Sequence, residues 1–425
     1  MPQADRHRPA GGRFRRFFAV LGPGLISGAA DDDPSSIGTY SVVGAQFGTS
    51  VLWTAFITWP LMAAIQMMCA RIGLVTGRGL ARALGEKFPR PLVAAISLGL
   101  LVANTITVGA DLSAMADAAE MLSGLNSHYY VIFFGIIIAL GTVLFRYHQI
   151  ANLLKWFALS LFTYVLTAFV VHPNWNTVLR ETLLPTWPTG HQAGAGLVAI
   201  LGATISPYLF FWQASQELEE KRALGLVMHS EERGAKRKRI RARNLAAAVG
   251  TLFSNLAMYF IILTTALTLH RNGITNIETS HDAAAVLMPL AGAFAATLFT
   301  VGIVGVGLVA IPTLITSAAY ALAETFCWTN GLNEKFKAAR PFYGVIILSS
   351  VIGIALDFAD VSPMRALFGA AVVNGLVDPF LLVGILIVAS DRKIMREQPS
   401  SLLARLAVGV TALAMLGAAI GMFVF

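Results

Sequence analysis

Charge is what this sequence has least of. Only 13% of its 425 residues are Asp, Glu, Lys or Arg, where a soluble domain carries about a quarter. Hydrophobic residues make up 56%, and the mean hydropathy is +0.68, which excludes an ordinary water-soluble fold. The two cysteines, Cys69 and Cys327, both lie in apolar runs. They supply neither a disulfide framework nor a metal-ligand spacing, and are expected to be packing residues. The eight histidines never stand four apart on a helical stretch, so a zinc enzyme site of that kind is excluded. There is no GxxxxGK[ST] phosphate loop and no GxSxG, which argues against an ATP-driven pump and a serine hydrolase. Nothing calls for a cofactor, and nothing marks the chain as an enzyme. An intramembrane aspartyl protease would need two aspartates meeting at the bilayer midplane. Asp33 and Asp378 are the available pair, but they match no protease motif.

Long apolar runs are what the sequence has instead. About 20 apolar residues cross a bilayer as a helix. Eleven such spans are expected, at roughly 18–44, 51–70, 92–122, 130–146, 153–171, 195–217, 245–269, 291–326, 342–357, 364–389 and 404–424. Spans 1, 6 and 8 are interrupted by Gly, Pro or polar residues. The fold class is therefore an all-α membrane protein.

Lys and Arg set the orientation. With the loops alternating sides, one side collects every Lys and Arg except Arg180, Arg271 and Arg365. That side includes the N-terminus and the loop KRALGLVMHSEERGAKRKRIRAR, 221–243. The split predicts a cytoplasmic N-terminus in a bacterial plasma membrane. The net charge of +8 then reflects topology and lipid headgroups, and nucleic acid is not an expected partner. The first residues also resemble a cleaved signal peptide, with a basic start, an apolar run and GAA. Pro23 and two glycines interrupt that run, which favours a retained first span. The sequence leaves the oligomeric state open.

Against this background AADDDPSSIG, 29–38, stands out. Asp31, Asp32 and Asp33 fall near the midplane of span 1, where ionisable groups are costly and usually face a cavity. Pro34 lacks an N–H and breaks the helical ladder, freeing carbonyls upstream. A broken midplane helix with free carbonyls and carboxylates suits a cation. Asp-Pro-Ser-Ser is also a good helix start, and both readings hold together because a half-helix needs a cap. Span 6 carries a counterpart, GATISP at 202–207. Spans 1 and 6 open two sets of five, and an odd number of helices per set inverts one set against the other.

AADDDPSSIG together with GATISPYLFFWQ resembles the Nramp family of divalent-metal transporters, which have a LeuT-like 5+5 architecture with broken helices 1 and 6. In that family helix 1 carries Asp-Pro-Gly-Asn and helix 6 carries Met-Pro-His. The resemblance covers essentially the whole chain. It implies a first repeat over 18–171, an extracellular loop over 172–194 and a second repeat over 195–389. A basic cytoplasmic tail, 1–17, a basic loop, 218–244, and an eleventh helix, 404–425, complete the organisation. It implies Asp33 as the metal-binding aspartate, with Ser36 in place of the asparagine ligand and Ser206 in place of the methionine. The carbonyls of Ala30 and Ala203 match backbone ligands. Tyr208 replaces a histidine linked to proton movement, and Asp111 matches an acid on the proton path. Ala371 stands where a glutamine approaches the metal, so Asn374 is the nearer polar candidate. Transport would be rocking of helices 1, 2, 6 and 7 against the rest.

The departures have a physical reading. A thioether favours soft ions, whereas a serine hydroxyl is hard and small. A hard divalent cation, Mg²⁺ or Mn²⁺, is therefore the expected substrate, with proton coupling altered or absent. Asp31 and Asp32 either join the ligand set or point to an aqueous vestibule. Asp378 lines the pathway or lies beyond the site. The run QELEE, 216–220, is an acidic exit funnel or a solvated helix end, and Asp117 and Glu120 are expected to be solvated. The alternatives are a LeuT-like symporter of another solute, in which the aspartates bind a coupling ion, and a membrane scaffold.

Overall fold

A computed structural model describes residues 31–144, 161–187, 193–223, 233–359 and 362–424. The elements there are helical, and nine are long and apolar enough to cross a membrane. They correspond to spans 2, 3, 4, 6, 7, 8, 9, 10 and 11. For span 1 the described part is the helix Pro34–Phe47, and for span 5 it is Phe162–Val170. The possible signal region and Ala30 lie outside the described residues.

Proline and glycine punctuate the helices. Span 6 divides into Ala193–Thr204 and Pro207–Ala223, with Ile205 and Ser206 between them. The helix Pro34–Phe47 begins with proline at its first position and Asp33 as its extended cap, with ψ at 168°. Both breaks thus fall just before a proline, which has no N–H to carry the ladder across the break. Span 8 shows that interrupting residues need not break a helix. It runs unbroken as Ala295–Thr325 through Pro312, and the interruptions lie before it, in short helical turns over 280–294. The Thr316 hydroxyl bonds back to the Pro312 carbonyl at 2.6 Å.

Two further differences concern loops. The basic cluster KRKRIRAR is helical, because span 7 begins at Arg233 and runs to Thr268. Ala, Lys and Arg are strong helix formers, so the chain need not unwind on leaving the membrane. The segment 172–194 holds a short helix, Trp175–Leu183, capped by the Asn174 side chain.

Helix packing repeats with a shift of five. Spans 2 and 7, 3 and 8, and 4 and 9 pack as pairs, each with its own counterpart. The second half of span 1 packs on span 7, and the second half of span 6 packs on span 2. An internal two-fold axis between inverted halves produces this pattern. Spans 4 and 11 are the least covered, each with 28% of its apolar window buried, whereas span 6 reaches 83%. Span 6 is therefore central, and spans 4 and 11 face lipid.

Small residues let the central helices approach. A Cβ on Gly202 would collide with the Ala371 carbonyl and the Gly375 N–H of span 10. A Cβ on Gly375 would in turn meet Val198 of span 6. The first half of span 6 is thereby held flush against the middle of span 10.

Candidate functional site

The site grows from the two breaks. Asp33 caps its own half-helix, with the Ser36 N–H donating to Oδ1 at 2.7 Å. The Ile37 N–H donates to the Asp33 carbonyl at 3.1 Å, so the helix is fully started by one residue. The other carboxylate oxygen turns toward span 6, where the Tyr208 hydroxyl donates to Oδ2 across a long 3.5 Å. Asp33 is 2% exposed. It is both the helix cap and a carboxylate facing the second break.

Ser36 joins the breaks directly. Its hydroxyl lies 3.1 Å from the Ala203 carbonyl of span 6 and 3.3 Å from the Asp31 carbonyl of span 1. One hydroxyl has one proton, so it donates to one carbonyl at a time. Ser206 Oγ donates to the same Ala203 carbonyl at 3.0 Å and approaches the Gly202 carbonyl at 3.4 Å. Ala203, Ser36 and Ser206 therefore form one cluster of hard oxygens, with Asp33 capping beside it.

Asp31 and Asp32 take a different direction. Both are buried. The Ser254 hydroxyl of span 7 lies 2.5 Å from Asp31 Oδ2 and 2.9 Å from Asp32 Oδ1. Asp31 Oδ1 and Asp32 Oδ2 are buried with no hydrogen-bond partner among the described residues. The three acids are consecutive in sequence but divide between span 6 and span 7. Ser254 was missed by the reading of the sequence. Its signal was there, in the polar pair Ser254-Asn255 inside an apolar span. Asn255 is the neighbouring tie, accepting from Thr58 Oγ1 of span 2 at 2.7 Å.

Asp111 of span 3 reaches the same corner. Its Oδ1 accepts from the Ser35 N–H at 2.8 Å, while Oδ2 is buried and unpartnered. Ser35 Oγ donates to the Leu367 carbonyl of span 10 at 3.1 Å, so the start of the half-helix is fixed to two scaffold spans. Asn374 and Asp378 of span 10 are buried one turn apart. The Asn374 side-chain oxygen and both Asp378 oxygens have no hydrogen-bond partner among the described residues. Among the described residues, no three His, Cys, Asp or Glu side chains form a metal-holding group. The donor set at the breaks is one carboxylate with hydroxyl and carbonyl oxygens.

Several acids expected in water are instead structural. Asp117 accepts from the Ser280 N–H at 2.9 Å, and Glu120 from the Ser127 N–H at 2.8 Å. Each half-buried carboxylate accepts from the first N–H of another helical segment, Ser280–Ala284 for Asp117 and Ser127–Leu144 for Glu120. QELEE is not a solvated end at Glu217 and Glu219, which are both buried. Glu217 pairs with Arg243 at 3.0 Å. Glu219 accepts from the Leu332 N–H at 2.7 Å, from Asn333 at 3.3 Å and from the Tyr320 hydroxyl. These bonds tie the end of span 6 to span 7 and to the loop after span 8. Cys69 is buried as expected, but Cys327 is exposed, in the loop that leaves span 8.

Two broken spans facing each other across an inverted repeat define a class, the LeuT-type membrane transporters. Two solved structures share the fold. One is a manganese transporter of Eremococcus coleocola, with a TM-score of 0.75 at 16% identity, covering 98% of this chain and 96% of that one. The other is Mhp1, a nucleobase-cation-symport-1 family transporter, with a TM-score of 0.58 at 16% identity, covering 95% and 91%. Curated relatives include divalent metal cation transporters named MntH. That of Agrobacterium fabrum is 26% identical over 93% of this chain and 85% of its own. That of Erwinia tasmaniensis is 27% identical over 68% of each. The family description Nramp, natural resistance-associated macrophage protein-like, matches residues 24–425, and this chain belongs to that family.

Proposed function

We propose that this protein carries a hard divalent cation, Mg²⁺ or Mn²⁺, across the membrane by alternating access between the two breaks. The relatives' names support a divalent metal as cargo. The observation that carries the finer reading is the Ser36–Ala203 bridge at 3.1 Å, with Asp33 beside it. It sets hard oxygens from both broken helices around one carboxylate, with no thioether, thiol or imidazole in the set. Such donors suit ions that prefer oxygen and keep part of their water shell. Ser206, which holds the position of the family's methionine, adds a hydroxyl to the same carbonyl. Asp33, Ser36, Ser206 and the carbonyls of Ala203 and Ala30 form the proposed ligand set, with Asn374 as the contribution of span 10.

Proton coupling is proposed to be weak or absent. A tyrosine, Tyr208, occupies the relay position, and a phenol does not exchange protons readily near neutral pH. The membrane potential then supplies the drive, about 2.3 kcal/mol per charge per 100 mV. The basic side faces the cytoplasm of a bacterial plasma membrane in this reading. The two repeats are 18–171 and 195–389.

Proteoliposomes with an internal metal-sensitive dye provide the test. Mg²⁺ or Mn²⁺ should enter faster under an inside-negative potential, and Asp33→Ala should abolish entry. Entry unaffected by Asp33→Ala would overturn the assignment. A second reading is favoured by one observation: Asp31 and Asp32 gather on Ser254 away from Asp33. There the aspartates bind a coupling ion and another small solute is the cargo. Failure of both metals to enter, with an organic solute entering instead, would select it.

A further inference from the structure

The basic end of the bundle holds a cavity of about 230 Å³ where the short helix Leu80–Leu84, the start of span 3 and the end of span 8 meet. Its charged lining is Arg78, Arg82, Arg90, Glu86 and Glu324. Both acids are engaged. Glu86 pairs with Arg78. Glu324 accepts from the Ala81 N–H at 3.1 Å, the Arg82 N–H at 3.4 Å and Ser215 Oγ at 2.9 Å. Gly79 makes room for that carboxylate, since a Cβ there would overlap it. Arg82 and Arg90 line the cavity with no acidic partner among the described residues. Two cations in one recess, with the local acids consumed, leave a site for an anion.

The surroundings say which anion. Leu92, two residues after Arg90, is 45% exposed, and Phe326, between lining residues Thr325 and Cys327, is 47% exposed. Leu98 and Val102 continue the exposed apolar face along span 3. The cavity thus sits where the charged end of the bundle passes into its lipid-facing wall. A ligand that fits both parts has a phosphate group and apolar tails. The volume lies below the roughly 300–1,000 Å³ of drug-sized sites, which suits a headgroup.

We propose that this cavity binds the phosphate headgroup of an anionic phospholipid through Arg82 and Arg90, with the acyl chains lying along Leu92 and Phe326. Basic recesses between membrane helices are suited to such headgroups. A lipid held there ties the loop after span 2 and the start of span 3 to the end of span 8. None of the residues at the two breaks lines the cavity.

The test uses the full-length protein in neutral detergent at near-physiological salt, with bound lipid counted by mass spectrometry of the intact protein. Phosphatidylglycerol should be retained in preference to phosphatidylcholine, and inorganic phosphate at millimolar concentration should not displace it. The double variant Arg82→Gln/Arg90→Gln should lose roughly ten- to thirtyfold of that preference, since each arginine near a lipid surface is worth about a factor of five. Gly85→Glu is the second variant. A Cβ there meets only carbonyls of its own turn at 3.5 Å, so the substitution adds a negative charge at the cavity without strain. It should also abolish the preference. Lys335→Gln/Lys337→Gln, on the same face but outside the cavity, should leave it intact. Equal retention of both lipids overturns the proposal, as does a preference that survives both cavity variants or falls equally with the lysine variant. Displacement by inorganic phosphate alone would make the ligand a free phosphate and overturn the lipid assignment.

Discussion

Asp33 turns its two carboxylate oxygens to different partners. Oδ1 closes the cap of its own half-helix, and Oδ2 meets the second break through Tyr208. The helix cap and the proposed ligand role thus fall on one side chain. Ser206 is the residue through which selectivity should be adjustable. Ser206→Met introduces a soft thioether beside the Ala203 carbonyl and should shift competition toward Cd²⁺ and away from Mg²⁺. Dye-based competition in proteoliposomes reads the shift directly, and an unchanged order of ions would remove Ser206 from the ligand set. Ser254 is the one donor shared by Asp31 and Asp32. Ser254→Ala leaves two buried carboxylates without it and should cost about 1–3 kcal/mol. The cost is expected as a lower melting temperature of the purified protein. No change in melting would mean that water already satisfies the pair.

At the scale of helices, the breaks owe their placement to local chemistry and their alignment to packing. Pro34 and Pro207 each open a half-helix, where a missing N–H costs no ladder bond. The alignment of the second break depends on Gly202 lying flush on Ala371 and Gly375. Gly202→Val forces span 6 away from span 10, and overpacking of this kind costs about 1–3 kcal/mol. Transport should fall by more than expression does, because Ala203 next to it carries the proposed carbonyl ligand. Equal losses of transport and of folded protein would assign Gly202 to packing alone. The interrupted spans 1 and 6 were legible because proline and glycine act within a turn. Span 8 carries the same residue types without a break. Its Pro312 lies within a largely buried helix that continues through it.

At the scale of the whole molecule, two surface ion pairs make a small contribution to stability that depends on pH. The hydrogen bond from Lys87 is the main reason Asp391 sits below its ordinary value, and Arg365 does the same for Glu278. Both carboxyls are therefore depressed in the folded state. Their contribution is fully present above the ordinary carboxylate range near pH 4 and is lost as pH falls through the depressed values. Melting temperature should be insensitive to these pairs between pH 5 and 8. It should drop below about pH 4, and Asp391→Asn should shrink that drop. A variant as acid-sensitive as the parent would show that the Lys87 pair plays no part.

Some of this protein was fixed by the chain alone. The nine membrane-length helices among the described residues, the two prolines at the breaks, and the carboxylate before the first of them follow from segment length and from backbone chemistry acting over a few residues. The buried roles of Glu217 and Glu219, the Glu324 cap on Leu80–Leu84 and the division of the three aspartates were not accessible that way. Each depends on which faces of distant helices meet, and hydropathy records how apolar a face is without recording its neighbour. Three adjacent aspartates read as one cluster along the chain. The half-turn at Pro34 points one at span 6 and the other two at span 7, and only assembled helices could decide that.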